Sequence, residues 1–136
     1  MEEITLDAAK ANLNEAIAFI DGQLDKTGCP ARSRMHIELA SEEIFVNIAE
    51  YAYAPGSGTV TIVLDTANNG TEVVITFSDS GIPYDPLAKK DPDLTLSSND
   101  REVGGLGIFL IRKYMDDIRY EYKDGRNHLT ITKKIA

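Results

Sequence analysis

What is scarce in this chain of 136 residues narrows its class before any motif is read. Cysteine occurs once, at Cys29, so no internal disulfide can staple the fold. No apolar run approaches the roughly 18 residues that a membrane helix requires, and the nearest candidate is only Ile108 to Ile111. The amino end, Met1-Glu2-Glu3-Ile4-Thr5, is acidic and lacks the basic and apolar regions of an export signal, so a cytoplasmic protein is expected. Basic residues are the minority, 14 Lys and Arg against 22 Asp and Glu, for a net charge of −8. Such a surface opposes nonspecific attraction to phosphate backbones. Neither nucleic acid nor a membrane is an expected partner; a protein carrying basic residues is.

The remaining composition, 43% hydrophobic and 26% charged, is that of an ordinary globular domain. A chain this long buries roughly two thirds of its unfolded surface, enough to fold without disulfides or a structural metal. Residues 1–136 are therefore expected to form a single domain, with no linker or internal repeat. A short strand is expected at Ile4 to Leu6, followed by helical spacing from Ala8 to Leu24 through Leu13, Ala16, Ile17, Ile20 and Leu24. Gly28 and Pro30 interrupt it. A second helix, Ala31 to Ala52, carries one apolar stripe of Ile37, Ala40, Ile44, Ile48 and Tyr51, and Pro55-Gly56-Ser57-Gly58 stops it. Two alternating runs, Thr59 to Asp65 and Thr71 to Phe77, flank Ala67-Asn68-Asn69-Gly70, whose Asn-Gly pair favours a hairpin. The aperiodic stretch Tyr84 to Val103 reads as a long surface loop. A short helix, Gly107 to Met115, then precedes strands at Ile118 to Lys123 and His128 to Lys133 around Asp124-Gly125. The sum is an α+β two-layer sandwich, with helices on one face of a mixed, mostly antiparallel sheet.

Three polar segments carry the chemistry. On the second helix Glu43 and Asn47 are one turn apart and share a face, with His36 and Glu50 projecting similarly, while Glu38 and Glu42 suit the solvent side. Apolar neighbours border Glu43 and Asn47, and burying either without partners costs on the order of 1–3 kcal/mol. An amide oxygen suits Mg²⁺, and a carboxylate one turn away can take a proton from an attacking hydroxyl. The same spacing also suits a helix flank with two solvated groups. Asp79 ends a strand before Ser80-Gly81, where a carboxylate can accept from an exocyclic amine and a glycine lets a flat ring approach, with Pro83 stiffening the exit. An Asp-Ser-Gly turn is the simpler reading. Gly104-Gly105-Leu106-Gly107 opens an apolar helix, where free amides and the helix dipole favour phosphates. It is neither the G-x-x-x-x-G-K-[ST] loop nor a G-x-G-x-x-G fingerprint, and a glycine-rich connector would look the same.

In this order, E-x-x-x-N on a helix, D-x-G-x-P after a strand and G-G-x-G opening a helix resemble the three nucleotide boxes of the gyrase, heat-shock chaperone, histidine-kinase and mismatch-repair ATPase superfamily. The likeness covers nearly the whole chain. Within the superfamily, the compact D-x-G-x-P form, the lone-domain length and the closing run Leu129-Thr130-Ile131-Thr132-Lys133-Lys134 are most similar to bacterial anti-sigma factors that act as serine protein kinases.

This resemblance implies a histidine kinase-like ATPase domain of Bergerat-type fold that uses ATP and Mg²⁺. Asn47 would bind Mg²⁺, Glu43 would be the general base, and Asp79 would accept from the adenine amine beside Gly81 and Pro83. Gly104, Gly105, Leu106 and Gly107 would hold phosphates, Thr130 would be a further pocket residue, and Tyr84 to Val103 would form a lid. The resemblance further implies a small antagonist protein as phosphoryl acceptor, a sigma factor as sequestered partner, and a homodimer. Tyr51 stands where many relatives have a histidine, Leu129-Thr130 replaces an adjacent Gly-Thr, and Asp91, Asp93 and Arg101 of the lid match no family position. Two functions follow as expectations: an ATP-dependent serine protein kinase, or a non-catalytic switch in which nucleotide sets affinity for a regulatory partner.

Overall fold

The computed structural model describes residues 1–88 and 105–136. Five strands, β1 (Glu2–Asp7), β2 (Thr59–Ala67), β3 (Glu72–Asp79), β4 (Asp117–Lys123) and β5 (Arg126–Lys134), form one sheet in the order β1-β2-β3-β5-β4. The α+β sandwich forms as expected, with all four pairings antiparallel rather than mixed. Two hairpins enforce this. Asn68, Asn69 and Gly70 turn β2 into β3 at φ 53°, 57° and 81°, and Asp124 and Gly125 turn β4 into β5 at 54° and 76°. These are left-handed conformations that Asn, Asp and Gly tolerate best.

Alternation then decides what is buried. Val60, Ile62 and Leu64 of β2, Val73, Ile75 and Phe77 of β3, and Leu129 and Ile131 of β5 face the helices α1 (Leu13–Leu24), α2 (Ala31–Asn47) and α3 (Gly105–Tyr114). Ile20, Leu24, Ile37, Ile44, Phe45 and Ile111 complete the core from the helical side. The other sheet face is polar, with hydroxyl pairs Thr5–Thr61 and Thr76–Thr130, each at 3.0 Å.

Several boundaries moved. The first helix starts at Leu13, because the Ala8 N–H is drawn to the Gly58 carbonyl (2.8 Å) and a 3-10 turn fills Lys10–Asn12. The second is α-helical only to Asn47 and then widens into a π turn over Ile48–Ala52. Such π turns are rare and concentrate at functional sites. α3 begins at Gly105 and β5 at Arg126, each two residues earlier than the pattern indicated. A 3-10 turn at Pro86–Ala88 is all of the expected lid's secondary structure that falls within the described residues. Gly104, Asp91, Asp93 and Arg101 lie outside them.

The far ends of α2 and α3 are locked together. The His36 ring stacks on Tyr114 with centroids 4.8 Å apart, while Lys133 Nζ lies 3.0 Å from His36 Nδ1 and donates to the Tyr114 carbonyl. No helix among the described residues is long and apolar enough to cross a membrane.

Candidate nucleotide-binding site

The opposite ends of the same two helices build the site. Glu43 is half-buried on α2, one turn before Asn47, and the start of α3 lies directly against both. A Cβ at Gly107 would sit 2.6 Å from Glu43 Oε2 and 3.8 Å from Asn47 Nδ2. The fold therefore brings the first and third motifs into contact, and only glycine permits the approach. Burial, reinforced by the negative charges of Glu42 and Glu50, pushes the Glu43 carboxyl above its ordinary pKa. A carboxyl of this kind is a better base once a proton acceptor is needed near neutral pH. The backbone amides that open α3 have no intrahelical acceptors, and the helix dipole is positive there.

Asn47 also borders a cavity of about 430 Å³ with walls of Ile44, Ile48, Phe77, Ile108 and Leu129, into which Asp79, Tyr120 and Asn127 bring polar groups. An apolar slot with a few convergent polar atoms is the usual form of a small-molecule site. Asp79 closes β3 and is 5% exposed. Its Oδ1 accepts from the Gly81 N–H (2.9 Å) and from Asn127 Nδ2 (3.0 Å). The second motif thus meets the first across the cavity.

Not every expected residue arrives there. Thr130 is on the opposite sheet face, where its hydroxyl pairs with Thr76. Leu129 and Ile131 are its buried neighbours in β5, so the two-residue period must turn Thr130 outward. Gly81 does not line the cavity, and its missing side chain answers to packing: a Cβ there would collide with the Ala52 carbonyl, which accepts from the Ile82 N–H at 3.0 Å. Pro83 is exposed and also outside the lining. Gly105 and Gly107 lie in the first turn of α3, as does the backbone of Leu106.

Of the other carboxylates on α2 and the π turn after it, Glu50 is taken by an ion pair with Lys10, whose hydrogen bond, together with that of Tyr51, holds its pKa down. Glu42 faces solvent as expected, but Glu38 is half-buried beside Asp21, and desolvation raises its carboxyl. Tyr51 and Leu129, two of the departures from the family pattern, both line the cavity.

Sequence reasoning missed Asn127 and Tyr120. Asn127 is 7% exposed and sits opposite Asp79 in the β3–β5 register. The signal was available, since counting back by two from Ile131 and Leu129 reaches Asn127. The apolar alternation by itself marks the strand only from His128, one residue past Asn127.

A sheet backed by α2 and α3, with a carboxylate, an amide and a glycine-opened helix meeting over an apolar cavity, defines a nucleotide-binding domain of the ATPase type. The family model described as histidine kinase-like ATPase domain matches residues 6–133, and the chain belongs to that family. It is accordingly an ATP-binding domain. The chain is 30% identical to the serine/threonine-protein kinase BtrW of Bordetella bronchiseptica over 135 residues, 99% of this chain and 94% of that protein. It is 30% identical to the serine-protein kinase RsbW of Bacillus cereus over 103 residues, 73% of this chain and 62% of that one. Among solved structures, the RsbU and RsbW domains of Rv1364c from Mycobacterium tuberculosis share the fold with a TM-score of 0.65 at 16% identity, over 99% of this chain and 33% of that chain. The histidine kinase domain from the blue-light activated histidine kinase of Erythrobacter litoralis EL346 gives 0.59 at 17% identity, over 92% and 60%.

Proposed function

We propose that residues 1–136 form one ATP-dependent serine protein kinase domain that acts as an anti-sigma factor. The observation that carries this reading is the contact of the Glu43 carboxylate with Gly107 at the start of α3, beside Asn47. A nucleotide-binding site has no need of a base at that position, whereas phosphoryl transfer has. Asp79 accepts from the adenine amine in the apolar cavity, the amides opening α3, from Gly105 to Gly107, receive the phosphates, and Gly104 shares that role by its place in the motif. Among the described residues no group of three or more His, Cys, Asp or Glu could hold a metal ion. Mg²⁺ would rest on the Asn47 amide oxygen, phosphate oxygens and water, a donor set that suits this ion. When bound it supplies neutralisation of phosphate charge. The serine hydroxyl of the partner loses its proton to Glu43 as its oxygen bonds the γ-phosphorus, and the bond from that phosphorus to the β–γ bridging oxygen breaks, releasing ADP.

The acceptor fitting this reading is a small antagonist protein, with a sigma factor as the sequestered partner, a homodimer as the working form and the cytoplasm as its location. The test is transfer of labelled γ-phosphate from Mg-ATP to proteins in an extract of the native cells, with wild type and Glu43→Gln compared after calorimetry shows that both bind ADP. Label in a small protein with wild type alone is the expected result. Equal labelling with both variants would remove Glu43 from the chemistry. No labelling, with ADP bound and the partner present, would leave the non-catalytic switch.

A further inference from the structure

Asn127 uses its whole side chain. Nδ2 donates to Asp79 Oδ1 at 3.0 Å and to the Ile82 carbonyl at 2.8 Å, while Oδ1 accepts from the Tyr84 N–H at 3.2 Å and from the Tyr120 hydroxyl. Two donors and two lone pairs exhaust a carboxamide. The partners also fix its orientation, because a flipped amide would set its oxygen against the Asp79 carboxylate and the Ile82 carbonyl. A residue so saturated has nothing left for a ligand. Its action is on Asp79: among the described residues the hydrogen bonds to that carboxylate, from Asn127 and from Gly81, both fall on Oδ1. Oδ2 is left as the acceptor that can face the cavity. The same amide ties residues 82 and 84 to β5 and so fixes the chain leaving Asp79.

We propose that Asn127 is a positioning residue that sets base selectivity: it pins the Asp79 carboxylate through Oδ1 so that Oδ2 is presented to the cavity as an acceptor, which takes a purine bearing an amine at C6 and rejects one bearing a carbonyl. The inference rests on the assignment of this cavity to the adenine base. Neither aspartate, which lacks donors, nor serine or threonine, which has one, can replace the carboxamide.

The test is calorimetric binding of ADP and inosine diphosphate, which differ at C6, to the full chain. Wild type should prefer ADP by about 10- to 100-fold, the range of one hydrogen bond to a charged group. Asn127→Ala should shrink that preference to within about 3-fold of unity while ADP affinity falls. Asn127→Ser, which keeps one donor, should fall between, and Tyr120→Phe should shift the ratio less in the same direction. These two variants decide the matter if Asn127→Ala does not fold. Equal loss of both ligands with the ratio preserved would show a merely structural role and overturn the proposal. Wild type that binds neither nucleotide would refute the nucleotide assignment, and this inference with it.

Discussion

Replacing Gly81 by alanine separates two reasons for a glycine at this place. If the residue served to admit a flat base, Gly81→Ala would weaken nucleotide binding and leave folding alone. The geometry says otherwise, because the new methyl would collide with the Ala52 carbonyl oxygen and stand 2.6 Å from its carbon and 2.8 Å from the Ala52 Cβ. An ordinary contact begins at 3.4 Å, so even against the carbonyl carbon the two segments must part by 3.4 − 2.6 = 0.8 Å. Both are backbone, and neither can rotate away. Overpacking of this kind costs about 1–3 kcal/mol. The separation also stretches the Ile82 N–H bond to Ala52, worth about 1 kcal/mol. A total loss of about 2–4 kcal/mol follows, or roughly 8–16 °C in Tm for a domain of this size. Gly107→Ala is the control. Its methyl meets the movable end of Glu43 at 2.6 Å, and alanine is favoured over glycine in a helix by about 0.5–1 kcal/mol, so stability should change by less than about 1 kcal/mol. Urea unfolding of the three proteins without nucleotide measures both. Gly81→Ala as stable as wild type would refute the packing argument.

Other perturbations give distinct readouts. Ser41 is fully buried on α2 and its hydroxyl has no hydrogen-bond partner among the described residues, so Ser41→Ala should stabilise by about 1 kcal/mol, seen as a Tm rise of about 4 °C. Glu43→Gln should stabilise the fold at neutral pH, since burial raises the Glu43 pKa. The stability associated with protonated Glu43 is complete below the unfolded value of about 4.3 and lost as pH rises through the folded one. The advantage of the glutamine variant in thermal melts should therefore vanish on acidification. His36 is shifted the other way, lowered by burial first and then by Lys133 and Arg32. Its contribution is complete above the unfolded value of about 6.5 and lost as pH falls through the folded one, so His36→Phe, which keeps a ring against Tyr114, should flatten that part of the stability profile. Gly107→Ala should also slow phosphoryl transfer by about 100-fold with ADP affinity nearly kept, because its methyl displaces the Glu43 carboxylate from its place.

The amino-acid sequence alone determined the order and kind of the elements, because hydrophobic period and turn chemistry are local. Asn69-Gly70 and Asp124-Gly125 favour hairpins by their own φ preferences, and the 3.6-residue stripe of Ile37, Ala40 and Ile44 marks a helix face for burial without reference to distant residues. Glu43 and Asn47 share a face for the same reason, and Gly107 is marked by standing in a glycine cluster before an apolar helix. Tertiary structure decided what these residues meet. Gly107 owes its identity to a carboxylate 64 positions earlier in the chain, and Gly81 to a carbonyl at the end of the π turn; neither contact has a local signature. Thr130 and Asn127 show the limit most clearly. On one strand an odd and an even residue face opposite layers, so a boundary uncertain by one or two residues exchanges a surface hydroxyl for the amide that organises the pocket. Only the pairing of β3 with β5, which sets Asn127 opposite Asp79, resolves it.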